Sequence, residues 1–121
     1  MKTEKEFVPY QQALELKELG FDEPCFDFYD NNQELFYNHE NKEKIHVGDG
    51  VNAPLYQQAF RWFRKEYALD SYIRPNLVYD VPKTYQYNIN DNIDDVWYNT
   101  YEEAELACLI KLIEIVKEQK L

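Results

Sequence analysis

Cys25, His39 and His46 are the side chains of this 121-residue chain best suited to covalent or metal chemistry. The histidines lie seven residues apart in a polar stretch, with the cysteine upstream. A zinc centre takes about four ligands, usually as closely spaced pairs, and no such pairs occur. A Cys–His nucleophile stays open, because its members meet only in space. Serine hydrolysis is disfavoured: Ser71 is the sole serine and has no elbow-like glycines around it. The carboxylates Asp91, Asp94 and Asp95 could approach a hard cation, which needs several oxygen ligands. Their segment "NINDNIDDVWYN" lacks the glycine of a calcium loop, so a solvated acidic connector is the preferred reading. "GDG" at 48–50 precedes a helical pattern, where backbone N–H groups can cradle phosphate. Asp49 would repel that phosphate and no Lys-Ser/Thr follows, so a turn is preferred. The sequence therefore points to no catalytic residue, no metal and no cofactor.

A second group of residues suits recognition. "AFRWFRKEYAL" (59–69) contains Arg61 and Arg64, and Arg74, the third arginine of the chain, follows shortly after. Residues 61–74 carry four cations, Arg61, Arg64, Lys65 and Arg74, against Glu66 and Asp70. Nucleic-acid binding needs a basic surface that neutralises several phosphates. The whole chain has a formal charge of -10, which opposes DNA and anionic membranes. A solvated helix face is the plainer reading, and an acidic partner or small anion is the sharper one. The chain also holds eleven tyrosines, too many for one core, and Tyr and Trp are enriched at interfaces. Trp62 and Trp97 could anchor a contact. The candidate partner-binding set is Arg61, Trp62, Arg64, Lys65, Arg74 and Trp97.

These residues must be carried by a folded scaffold. The length fits one domain, 1–121, able to bury roughly 65% of its unfolded surface. Aromatics at 17% and a single serine speak against disorder and flexible linkers. Cys25 and Cys108 imply no disulfide framework, and Cys108 reads as a small core hydrophobe. No stretch approaches the ~18 apolar residues of a membrane span, and "MKTEKEFVPY" has no run of signal-peptide length. A cytoplasmic location is the expectation.

Helical periodicity is expected over 9–19, opened by Pro9 and closed by Gly20. Leu55, Tyr56, Ala59, Phe60, Trp62, Phe63 and Tyr67 fall within about 160° of one helix surface, and Arg61, Arg64 and Lys65 fall outside it. Pro54 should open that helix. A third helix should begin at Thr100, with Glu103 completing a capping box. Its apolar residues from Ala104 to Val116 cover more than half the circumference, which predicts heavy burial. Phe26 and Phe28 alternate with Asp27, the period of a half-buried strand with its apolar face inward, and a hairpin is read at 24–29 and 34–38 around the turn formers Asp30, Asn31 and Asn32. A short strand at 44–47 is admitted. A second hairpin joins "SYIRPNLVYDV" to "TYQYNIN", where Tyr85, Tyr87 and Ile89 alternate with Gln86, Asn88 and Asn90, and Pro75 marks a break or an edge. The expected class is α+β, a mainly antiparallel sheet of about four strands with three helices, in the order α-β-β-α-β-β-α.

Three segments, "EFVPYQQALELKELGFDEPC", "LYQQAFRWFRKEYAL" and "NTYEEAELACLIKLIEIVK", resemble a family of small uncharacterised proteins of Bacteroidetes bacteria and their phages and prophages. The resemblance implies a mobile-element setting and carries no activity or functional residue. The leading expectation is a non-enzymatic accessory protein that binds a host or viral protein, in the host cytosol if phage-encoded. The alternatives are a virion or assembly component that forms homo-oligomers, an acidic nucleic-acid mimic, and a small-molecule binder or enzyme with an aromatic pocket.

Overall fold

A computed structural model describes residues 6–30, 32–37, 50–77 and 83–120. The chain is α+β: the described residues form three helices and two three-stranded antiparallel sheets. Its contacts divide it into two compact units, Met1–Ala59 and Phe60–Leu121. The strands expected in one sheet thus belong to two, and each sheet gains a strand.

The first unit opens with α1 (Tyr10–Glu18). Pro9 stands immediately before it, in extended geometry. At its end Gly20 takes φ +103°, the Gly20 amide bonds to the Lys17 carbonyl and the Phe21 amide to the Leu16 carbonyl. Those two bonds satisfy carbonyls that the helix end would otherwise strand, and Phe21 is buried with Leu16 below it. Strands β1 (Asp27–Tyr29), β2 (Leu35–Tyr37) and β3 (Val51–Ala53) follow, in the sheet order β2-β1-β3. The β1–β2 turn is organised by Asp30, whose Oδ1 accepts from the Asn32 and Glu34 amides at 2.9 Å. Among its described residues Gln33 is left-handed, φ +63°; Asn31 lies outside the described residues.

The inward face of β1 is the reverse of the expected one. Asp27 is 1% and Tyr29 8% exposed, whereas Phe26 is 66% exposed. Tyr29 decides the register: its Oη donates to the buried Val8 carbonyl at 2.8 Å, and its ring meets Tyr10 edge-on at 5.5 Å. Phe28 and Phe36 stack across β1 and β2 on the opposite face, 5.9 Å apart.

α2 (Tyr56–Tyr67) begins in the first unit and continues in the second. It starts two residues beyond Pro54. Val51–Ala53 is drawn into β3, the Pro54 carbonyl accepts from Val8 at 2.9 Å, and Leu55 bridges to Phe7. The admitted strand at 44–47 lies outside the described residues.

In the second unit, Ala68 ends α2 at φ +55°, and β4 (Ser71–Pro75), β5 (Tyr85–Ile89) and β6 (Asn92–Ile93) form a sheet with β5 central. Bonds from Asn90 to the Asp70 carbonyl and from Asn76 to the Thr84 carbonyl place the even-numbered residues of β4 toward β5. The missing N–H of Pro75 therefore falls on the outer edge of the ladder, where it costs no bond. Asn90 and Asp91 both take positive φ, +50° and +68°, and form the two-residue turn from β5 into β6. The Asn90 side chain accepts from the Asp70 amide at 2.9 Å and donates to the Ala68 carbonyl at 3.3 Å, tying that turn to the exit of α2.

α3 (Tyr101–Gln119) is capped by Thr100, whose hydroxyl accepts from the Glu103 amide at 3.1 Å. It lies against β5 and β4. Ala104, Cys108, Leu109, Leu112, Ile113 and Val116 are buried, each large one contributing about 1.5–3 kcal/mol. The buried stripe is narrower than the apolar arc, since Ile110 is exposed and Leu106, Ala107 and Ile115 are half-buried. The twofold helix-then-strands pattern of the sequence becomes α-β-β-β twice. The two sheets nonetheless differ: the first strand is central in one and the second strand in the other.

Thr100→Ala should destabilise the protein by about 1 kcal/mol through loss of the cap, lowering the melting temperature by roughly 3–5 °C. Thr100→Ser should restore most of it. Thermal denaturation followed by circular dichroism checks both.

Candidate docking surface

Residues 94–98 run from β6 toward α3 and are pinned to β5 at both ends. At the first end, the Asp94 amide donates to the Tyr87 carbonyl at 3.2 Å, and the Gln86 side-chain amide donates to the Asp94 carbonyl at 2.8 Å. At the second, Tyr98 and Tyr85 exchange reciprocal backbone bonds of 2.7 and 2.8 Å. The Tyr98 hydroxyl also donates back to Asp94 Oδ2 at 3.1 Å, closing the loop. With both ends held, Asp95, Val96 and Trp97 bulge outward. Ile93, Val96, Trp97 (43%) and Tyr101 are exposed large apolar side chains within residues 93–101. The Tyr101 ring is held edge-on to Tyr85 at 5.8 Å, and the Tyr87 and Tyr98 rings stack at 6.4 Å.

Beside this strap lies an open groove of about 400 Å³, with Leu69, Tyr87, Ile89, Ile93 and Ile115 as its apolar lining. Asn92, Asp94 and Lys111 supply polar groups at its margins. Lys111 is engaged by Glu114 at 3.1 Å. Burial, and then Asp94, pushes the Tyr87 phenol up to about 12. Burial also raises Tyr98 and Tyr101, so these phenols remain protonated donors. The Glu105 carboxyl is pushed up to about 7, first by burial and then by the Glu102 charge.

The other candidate residues fall in separate places. Arg61, Arg64 and Lys65 share the exposed face of α2, clear of its buried Tyr56, Ala59, Trp62 and Phe63, as the helical period requires. Arg64 and Lys65 stand in the last turn, where cations oppose the negative end of the helix dipole. Arg74 is exposed on β4, a different element, opposite Gln86. Trp62 corrects the expectation of a surface anchor. It is 5% exposed, with its indole edge-on to Phe63 at 5.1 Å and to Tyr67 at 5.4 Å, and so belongs to the core. Trp97 alone of the two tryptophans faces solvent.

His39 and His46 lie outside the described residues. The Cys25 thiol donates to the Glu23 carbonyl at 3.4 Å and is pushed up to about 12, chiefly by burial. That is the reverse of the lowered pKa that makes a thiolate nucleophile. Cys108 is fully buried and free, and likewise raised to about 12 by burial. Among the described residues no three His, Cys, Asp or Glu side chains are grouped as metal ligands, and no helix is long and apolar enough to cross a membrane. No family model, curated protein or solved structure matches the chain.

Two measurements follow from this geometry. With each quencher normalised to its effect on a free tryptophan amide at matched ionic strength, emission from Trp97 should be quenched more strongly by caesium than by iodide, because Asp94 and Asp95 attract the cation. Trp97→Phe should remove the quenchable fraction and leave the Trp62 emission. The raised Glu105 pKa favours the folded protein when the carboxyl is protonated. That contribution is full below about 4.5 and is lost as pH rises through about 7. Glu105→Gln should therefore raise the melting temperature at pH 8, and less so at pH 5. The effect should be about 1 kcal/mol or smaller, since the group is half in solvent.

Proposed function

We propose that this chain is a non-enzymatic accessory protein that binds a host or viral protein in the cytosol, through the surface formed by residues 93–101. The observation that carries the reading is the pinned strap: aromatic and aliphatic side chains are held out to water by hydrogen bonds at both ends. A segment that must expose Val96 and Trp97 without being floppy loses little conformational freedom when a partner covers it. Trp and Tyr at such positions commonly dominate binding energy. The phage or mobile-element setting rests on the wording of the three helical segments alone.

The experiment is affinity capture of a stoichiometric partner from host or infected-cell lysate, compared across variants. Trp97→Ala should weaken retention by about 30-fold, or roughly 2 kcal/mol. Replacing Arg61, Arg64 and Lys65 together by Ala should change it little. The opposite pattern would move the docking site to the exposed face of α2.

A further inference from the structure

The charge around the strap specifies what it would bind. Residues 84–110 contain no Lys, Arg or His, yet hold Asp91, Asp94, Asp95, Glu102, Glu103 and Glu105. Several of these serve the fold. Asp91 sits in the β5–β6 turn, Asp94 accepts from Tyr98, and Glu102 and Glu103 stand in the first turn of α3, where the helix dipole favours acids. Asp95 and Glu105 do neither. Asp95 is exposed beside Val96 and Trp97. Glu105 is half-buried one helical turn beyond Tyr101, and both its burial and Glu102 oppose its charge. Lys111, at the groove, is already engaged by Glu114. The exposed faces of Trp97 and Tyr101 attract cations as well, through their ring quadrupoles. The groove of about 400 Å³ beside the strap offers apolar lining to a side chain or to the methylene stem of an arginine.

Resting on the docking reading above, we infer that the partner presents a basic segment: lysines or arginines set among apolar residues, the cations meeting Asp94, Asp95 and Glu105 and the apolar groups covering Ile93, Val96 and Trp97. Acidic and nucleic-acid partners meet the same field as repulsion. The charge sets the choice of partner and the rate of encounter, and the apolar strap supplies the burial.

The test is a titration of the full chain with three peptides of equal length. All carry Leu at every third position; the remaining positions are Arg, Gln or Glu. Backbone amide shifts report the site. The Arg peptide should move amides within 93–105 and bind at least about tenfold tighter than the Gln peptide, with the difference shrinking at high salt. Asp95→Asn with Glu105→Gln should weaken it by about tenfold, and Glu18→Gln with Asp22→Asn, two exposed acids of the first unit, by no more than about twofold. Circular dichroism checks that each variant is folded. Equal weakening by both pairs would reduce the attraction to net charge and overturn the inference. If the Gln or Glu peptide moves the same amides as tightly, the docking surface stands and the basic partner falls. If no peptide moves them, both fall. Shifts over 93–101 that depend on protein concentration alone would make the occupant a second copy of this chain, which also overturns the inference.

Discussion

The second unit depends on how β5 is covered. Four of its five residues are buried, and α3 lies along it with Cys108, Leu109, Leu112 and Ile113 turned inward. A central strand needs both backbone edges paired, because buried N–H and C=O groups left without partners cost more than the bonds themselves contribute. β4 supplies one edge. The other is supplied in pieces: β6 as far as Ile93, then the Asp94 amide on Tyr87, then Tyr98 on Tyr85. The bulge at Asp95, Val96 and Trp97 is what remains when a connection pairs with β5, departs, and returns to pair again before α3 begins.

That geometry gives the exposed apolar groups a physical origin. Single exposed apolar side chains need no explanation in a folded protein. Four within nine residues, on backbone fixed at both ends, are the group on which the docking proposal rests. The acids around it have mixed duties, some serving turn and helix, and residues 84–110 carry no base, Lys83 and Lys111 standing just outside them and Arg74 opposite Gln86 on β4. The first unit exposes Phe26 just before β1 and Phe36 on β2, in a stretch, 18–38, that likewise carries no Lys, Arg or His; what sets 93–101 apart is backbone fixed at both ends beside an apolar groove.

Much of the scaffold was legible in the residues because local chemistry marks it. Pro9 and Gly20 bracket α1, Thr100 and Glu103 start α3, and the alternation from Tyr85 to Ile89 marks β5, although its burial does not alternate: Gln86 and Asn88 are buried with Tyr87 and Ile89. What escaped did so for identifiable reasons. Strand periodicity gives two faces without saying which turns inward, so Phe26 was expected inside, while Tyr29, held by the Val8 carbonyl, set the opposite register. β3 and β6 have three and two residues, too few for a pattern. The Asn90–Asp91 pair carried the hairpin signal for β6 but sat inside a run of acids that reads as a connector. For Trp62 the signal was present: the helical period already placed it in the apolar arc of α2, away from Arg61 and Arg64. The pinning of 94–98 depends on backbone bonds to a strand several residues earlier, and nothing in the order of side chains announces it.

The most direct measurement of the central claim is residue-resolved amide hydrogen exchange across the second unit. A strap fixed to β5 predicts that the Tyr85 and Tyr98 amides exchange slowly, at rates comparable to those of the β4–β5 ladder, while the Val96 and Trp97 amides between the pinned ends exchange fast. Fast exchange at Tyr85 and Tyr98, matching that of Val96 and Trp97, would mean that the segment is an open loop, and the account of a preformed surface would be contradicted.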